Sequence, residues 1–229
     1  LPGMRVPHEW LRGLPDIFEI AAVSNDGTLL LVSHSGEVAR IVEPDGRFVP
    51  VHHVPRHARP PSTWDERFTL TADRRVIALG RRGALTILRP GASRALTVPG
   101  VAANEVPWRA CEDGSQHIYV TILRQHPDDV RLAELNGSTL VEVWAGRAFP
   151  LGVSCLRTGG AVVVPTSGQE LVMVFGRAVR VVPIEPPLRS PTGIVPSRSD
   201  QFLWHSGEGA FDLLDLRAAI GRVPRAPTP

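Results

Sequence analysis

The sequence predicts an all-β chain assembled from one repeated four-stranded meander, and three observations carry that expectation. A polar turn recurs five times, a glycine-bearing turn recurs in phase with it, and the segments between turns have strand length. The polar turn is anchored at residues 26, 73, 113, 158 and 199. It lies in Ser24-Asn25-Asp26-Gly27-Thr28, Thr71-Ala72-Asp73-Arg74, Cys111-Glu112-Asp113-Gly114, Leu156-Arg157-Thr158-Gly159 and Ser197-Arg198-Ser199-Asp200. The glycine turn carries Gly36, Gly83, Gly168 and Gly207, and its first and last copies share His-Ser-Gly-Glu. Unit three departs, with a longer connection through Arg124-Gln125-His126-Pro127-Asp128-Asp129. A third marker follows as Asp45-Gly46, Pro90-Gly91, Asn136-Gly137 and Phe175-Gly176, dipeptides in which glycine supplies the positive φ of a tight hairpin.

Each element follows in order. After the polar turn comes an apolar run, Leu29–Val32, Val76–Leu79, Ile118–Leu123, Ala161–Val164 and Phe202–Trp204 in successive units. Further strands are read at Thr86–Leu88, Val130–Leu135, Leu171–Phe175 and Ala178–Val182, rich in valine, leucine and isoleucine with turn signals between them. A strand–turn unit repeating at roughly 40–47 residues has the period of a propeller blade. The prediction is therefore a five-bladed β-propeller with four antiparallel strands per blade, as a single domain over 1–229. Its blades fall at about 19–54, 67–101, 107–146, 151–184 and 191–224. A sandwich does not repeat three turn markers in phase, and a trefoil repeats three units. The last blade needs a closing strand. Met4-Arg5-Val6, within residues 1–7, is favoured over Gly221-Arg222-Val223-Pro224, because pairing both chain ends in one blade protects the ring from fraying.

Composition narrows function by exclusion. All 25 basic residues are arginine against 23 acids, and a formal charge of +2 exerts little long-range pull on nucleic acid. No apolar run reaches the ~18 residues that cross a bilayer, and Leu1–Val6 has no signal-peptide pattern, so a cytoplasmic chain without membrane insertion is expected in preference to a secreted one. Cys111 and Cys155 are too few for a disulfide scaffold and lack metal-ligand spacing; buried free thiols on neighbouring inner strands are the reading. His52, His53 and His57 form the one histidine cluster, but adjacent strand residues point to opposite faces, so no metal and no cofactor is expected.

The repeat Asp26-Gly27-Thr28-Leu29-Leu30-Leu31-Val32 resembles bacterial β-propeller repeats, and the chain is similar in length and unit number to five-bladed propellers of the tachylectin type. The Gly-His and Trp-Asp pairs of WD40 repeats are absent. An arginine-rich bacterial propeller also resembles the propeller component of MoxR–von Willebrand A ternary systems. That resemblance implies a protein partner, an ATPase or a von Willebrand A-type protein of a multi-component system.

The expected function is a non-catalytic protein–protein interaction module, a scaffold that binds through its turn-and-loop face. The residues placed on that face are His34, Glu37, Trp64, Arg81, Arg82, His126, Gln169, His205 and Glu208. Arginine and tryptophan are the side chains that anchor protein interfaces, and proline-rich loops hold a surface in place. A carbohydrate-binding propeller lectin, with a glycan as ligand, is the alternative, but the five tryptophans do not fall at equivalent positions. A propeller-fold hydrolase is the second alternative. Its acids Asp16, Glu19, Asp65 and Glu66 flank the inner strands, which themselves carry almost none, and no nucleophile motif occurs, so no enzyme and no catalytic residue is expected.

Overall fold

The computed structural model describes residues 18–24, 27–33, 38–47, 49, 52–53, 68–80, 84–89, 95–126, 128–185, 187–188, 193–197, 199–207 and 210–216. They contain strands and turns and no helix, so no helix is long and apolar enough to cross a membrane. The chain divides into two compact units, Leu1–Arg81 with Leu85–Thr97, and Arg82–Ala84 with Val98–Pro229.

The first unit holds two meanders. β1 (Phe18–Val23), β2 (Leu29–Ser33), β3 (Val38–Val42) and β4 (His52–His53) pair in sequence order. β5 (Phe68–Leu70), β6 (Val76–Leu79), β7 (Leu85–Leu88) and β8 (Leu96–Thr97) do the same. Consecutive strands are antiparallel throughout, as short turns require. Leu30, Val32 and Ile41 of the first sheet bury against Phe68, Leu70, Val76, Ala78 and Leu88 of the second. The runs Leu29–Val32 and Val76–Leu79 show no polar alternation because each strand is buried on both faces.

The second unit holds three meanders. β9 (Val106–Glu112), β10 (Ile118–Leu123) and β11 (Asp129–Asn136) lead into β12 (Thr139–Cys155), followed by β13 (Ala161–Pro165), β14 (Glu170–Phe175) and β15 (Ala178–Pro183). β12 is one strand of 17 residues: Thr139 to Arg147 pair with β11, and Ala148 to Cys155 pair with β13. It is the last strand of one meander and the first of the next, so seven strands make one hydrogen-bonded sheet in chain order. The sequence boundary between 146 and 151 becomes an irregularity between Ala148 and Val153 inside this strand. The fifth meander has three described strands, β16 (Gly193–Pro196), β17 (Phe202–Gly207) and β18 (Ala210–Asp215). Both segments considered for closure, 4–6 and 221–224, lie outside the described residues.

The five polar turns have one geometry. Each spans five positions, and in each the fourth N–H donates to the first carbonyl: Gly27 to Ser24, Arg74 to Thr71, Gln116 to Asp113, Gly159 to Leu156 and Asp200 to Ser197. Position four has positive φ in all five: 87° at Gly27, 65° at Arg74, 67° at Gln116, 105° at Gly159 and 54° at Asp200. This corrects the third anchor. Asp113 occupies position one of its turn, and Ser115 is the counterpart of Asp73, Thr158 and Ser199. The misreading arose because two glutamate–aspartate positions precede Gly114, imitating the Asp-Gly step of the first unit.

Position one usually closes the turn with its side chain. Ser24 Oγ donates to the Thr28 carbonyl, Thr71 Oγ1 accepts from Arg75 N–H, and Asp113 Oδ1 accepts from Ser115 and His117 N–H. Leu156 has no polar atom to offer, and its turn is held from both sides by neighbouring meanders instead. Gly160 N–H donates to Asp113 Oδ2 at 2.5 Å, and Thr158 N–H and Oγ1 donate to Asp200 Oδ2 at 2.5 and 2.8 Å.

The cysteines are the second correction. Cys111 and Cys155 form a disulfide with a Cα–Cα separation of 5.7 Å, closing 44 residues of chain. They do lie on neighbouring first strands, β9 and β12, and that adjacency brings the thiols within bridging distance.

Candidate functional site

The turn face is built in the second unit from two turns, a strand crossing and a connector. In the β10–β11 turn Arg124 N–H donates to the Asp129 carbonyl at 2.8 Å, and Asp129 N–H to the His126 carbonyl at 3.0 Å. Ala148 N–H on β12 donates to the Asp128 carbonyl at 2.9 Å, while the Arg147 guanidinium pairs with the Asp128 carboxylate. On its other edge β12 receives Thr166 N–H at the Arg147 carbonyl, 3.1 Å away, from the β13–β14 turn. That turn is covered in its turn by the connector from the fourth meander to the fifth: Leu188 N–H donates to the Gly168 carbonyl at 2.8 Å, and Ile184 N–H to the Gln169 carbonyl at 2.9 Å. Gly168 has φ of 65°, and a Cβ there would collide with the Leu188 carbonyl, so two separate constraints require glycine. His126 and Gln169 are both exposed on this continuous surface.

Charge on the face is arranged in pairs. Glu105, just before β9, receives Arg131 Nε and Nη2 at 2.8 and 2.7 Å and Ala102 N–H at 2.9 Å; Arg131 Nη2 also donates to the Gly100 carbonyl at 2.6 Å. This two-pronged pair is buried. Arg124 lies 3.6 Å from Glu105 and donates to Glu142 at 2.6 Å. Arg131 hydrogen bonding holds the Glu105 carboxyl below the ordinary glutamate range against the opposing effect of burial, and Arg147 does the same for Asp128. Both carboxylates are therefore held ionised and engaged by guanidinium, an arrangement that fixes a polar surface. Arg147 keeps 77 % of its side chain exposed despite the pairing.

The structure places the predicted face residues unevenly. His126 and Gln169 come together on turns joined through β12. His205 lies in β17, whose backbone alone is described there. His34, Glu37, Trp64, Arg81, Arg82 and Glu208 lie outside the described residues. Arg147, Asp128, Glu142 and the Glu105–Arg131 pair join the face without having been singled out. Asp128 was visible in the long third connection, but Arg147 sits where the sequence reads a boundary and the chain continues as strand.

The opposite end of these strands carries the polar turns and the links between meanders. Tyr119 reaches it from β10: its hydroxyl accepts from Gly176 N–H at 3.3 Å, and burial pushes its pKa up to about 12. In the first unit Arg74 Nε and Nη2 donate to Glu43 at 2.8 Å each, and Thr28 Oγ1 to Glu43 at 3.3 Å. That arginine holds the Glu43 carboxyl below its usual value.

No family model and no curated protein matches the sequence. Solved structures do. Virginiamycin B lyase from Staphylococcus aureus matches at 14% identity and a TM-score of 0.53, covering 85% of this chain and 68% of that one. Hydrazine synthase from Kuenenia stuttgartiensis matches at 13% identity and a TM-score of 0.60, over 90% and 66% of the two chains. Regucalcin from Agrobacterium tumefaciens, described as a calcium-binding protein, matches at 14% and 0.52, over 87% and 70%. Stacked antiparallel meanders with these likenesses decide the fold class. The chain has a β-propeller fold. This propeller spans about two thirds of the length of each of those structures, and at such identities the likeness is one of fold alone.

Proposed function

We propose that this propeller is a non-catalytic interaction module, a five-bladed ring that binds a partner protein through its turn-and-loop face. The observation that carries the reading is the tying of successive turns into one surface by backbone hydrogen bonds, from Asp128 through Arg147 to Gly168 and Leu188. A surface so held loses little entropy on docking, and it presents His126, Gln169 and Arg147 outward. The partner class drawn from the resemblance is an ATPase or a von Willebrand A-type protein. Trp108, Trp144 and Trp204 stand on a first, a last and a middle strand, a distribution that supports protein recognition over repeated sugar subsites.

A photo-cross-linking amino acid at 126 or 169, in cells of the native host, tests this. Adducts to one polypeptide are expected from both positions and not from 116, on the opposite end. Equal labelling from all three positions would count against the turn face. The Cys111–Cys155 disulfide further supports work in an oxidising compartment in place of the cytoplasm. Alkylation in denaturant without reductant should then leave both cysteines unlabelled; two labelled thiols would remove this support for an oxidising compartment.

A further inference from the structure

An asparagine or aspartate followed by glycine is a labile step, because a glycine nitrogen, uncrowded by a side chain, can attack the side-chain carbonyl of the residue before it. The chain has four such steps: Asp26-Gly27, Asp45-Gly46, Asp113-Gly114 and Asn136-Gly137. In three of them the nitrogen is engaged. Gly27 N–H donates to the Ser24 carbonyl at 3.1 Å, Gly46 N–H to the Glu43 carbonyl at 2.8 Å and Gly114 N–H to the Leu156 carbonyl at 2.9 Å. The fourth step is built differently. Asn136 pairs with Thr139 as the last rung of the β11–β12 ladder, which leaves Gly137-Ser138 as a two-residue loop with φ of 62° at Gly137. Residues 136–139 are all exposed, and a Cβ at Gly137 would meet nothing within 4 Å. No hydrogen bond joins the Gly137 N–H or the Asn136 side-chain amide to another described residue. The Asn136 carbonyl, by contrast, accepts from Thr139 Oγ1 at 3.0 Å.

We infer that Asn136-Gly137 is a modification site, at which the asparagine amide becomes a carboxylate by way of a cyclic imide. The Gly137 nitrogen loses its proton to hydroxide and attacks Asn136 Cγ. The N–Cγ bond forms, the Cγ–Nδ2 bond breaks, and Nδ2 takes a proton back from water and leaves as ammonia. Water then opens the ring at one of its two carbonyls. Opening at Cγ gives aspartate in the ordinary chain, and opening at the main-chain carbonyl gives isoaspartate, with the backbone routed through Cβ and Cγ. Either path consumes one water and releases one ammonia, and neither needs an oxidant. Thr139 assists the first step. Deprotonating Gly137 spreads negative charge onto the Asn136 carbonyl oxygen of the same peptide group, and the Thr139 hydroxyl already donates to that oxygen. At Gly27, Gly46 and Gly114 the nitrogen must first give up a hydrogen bond. The product removes one unit of the formal +2 charge. The site lies at the far end of β11 from the turn face, so it stands or falls independently of the docking reading.

Incubation of the full chain in mildly alkaline buffer, followed by cation exchange and peptide mapping, tests the inference. An acidic form is expected to accumulate, with aspartate and isoaspartate at 136 and no isoaspartate at 26, 45 or 113. Asn136→Gln, whose amide must close a larger ring, is expected to abolish that form while leaving the far-UV circular dichroism spectrum unchanged. Thr139→Val should slow the conversion about two- to tenfold, the worth of one hydrogen bond, and Thr139→Ser should restore it. The chain unfolded in guanidinium chloride, where all four steps are equally exposed, is the reference. Conversion at 136 in the unfolded chain but not in the folded one overturns the proposal, by showing that the hairpin holds the nitrogen away from Cγ. Isoaspartate forming in the folded chain at the aspartate steps as fast as at 136 overturns it as well, because free and bonded nitrogens would then react alike. An unchanged rate in Thr139→Val overturns the role given to that hydroxyl.

Discussion

Two seams of this molecule join neighbouring meanders by different physics. Between the first and second meanders the polar link is ionic: Arg74 grips Glu43 at 2.8 Å, with 22% and 12% of their side chains exposed. Between the third and fourth it is covalent and buried. The Cys111–Cys155 disulfide, Asp113 to Gly160 N–H, Gly114 N–H to the Leu156 carbonyl and Tyr119 to Gly176 all cross it, and β12 runs through both sheets. The first seam answers to pH and salt, the second to redox state and to single buried atoms. Equivalent turns in a repeat thus share backbone geometry while the links between them are free to vary.

Breaking the covalent link should have the largest effect. Closing a loop of 44 residues stabilises by about 4 kcal/mol in the chain-entropy treatment, so Cys155→Ala should lower the unfolding free energy by that order, read as a lower denaturation midpoint. A midpoint unchanged by both Cys155→Ala and reductant would show that the disulfide does not form. Next comes Asp113→Ala. It removes the acceptor of Ser115, His117 and Gly160 N–H and strands a buried donor, a loss of roughly 3 kcal/mol. Urea unfolding checks it, and Asp113→Asn should recover part of the loss.

The ionic seam predicts smaller, condition-dependent changes. Glu43→Gln should cost about 0.5–1 kcal/mol at low salt and less at 1 M salt, where partly exposed pairs are screened. Glu43 and Glu105 both have folded pKa values below their unfolded ones. Their contribution is present above the unfolded value, about 4.3, and is lost as pH falls through the folded value. Glu105→Gln should therefore flatten the acid limb of the stability curve below that pH; an unaltered limb would mean that other carboxylates carry it.

An effect of similar size has the opposite sign. Gln116 is exposed at φ of 67°, so Gln116→Gly should stabilise by about 0.5–1 kcal/mol. Arg74→Gly relieves the same backbone position but removes the bond to Glu43, and its net change should be less favourable. Thermal melts of the two variants, compared directly, separate turn geometry from seam chemistry. Were Arg74→Gly the more stabilising, the ionic link would count for nothing.

The repeat was legible because tight turns impose local demands. Gly27 and Gly159 announce position four, and Gly46, Gly137 and Gly176 announce the later hairpins with φ of 85°, 62° and 55°. Arg74, Gln116 and Asp200 hold the same conformation without announcing it, since a non-glycine residue with positive φ has no compositional signature, and the third turn was misplaced by two residues for that reason. On the candidate face, turn chemistry brought out His126 and Gln169. Arg147 and the Glu105–Arg131 pair stayed hidden because their partners lie 19 and 26 positions away.

By itself the amino-acid order determined what short-range sterics and runs of apolar residues can determine: an all-β chain and the meander with its recurring turns. Only the tertiary structure decided which meanders are bridged by sulfur, which by charge, and where one strand serves two sheets. Those outcomes depend on atoms tens of residues apart meeting at bonding distance. Local preference carries no information about that encounter; packing of one sheet on the next creates it.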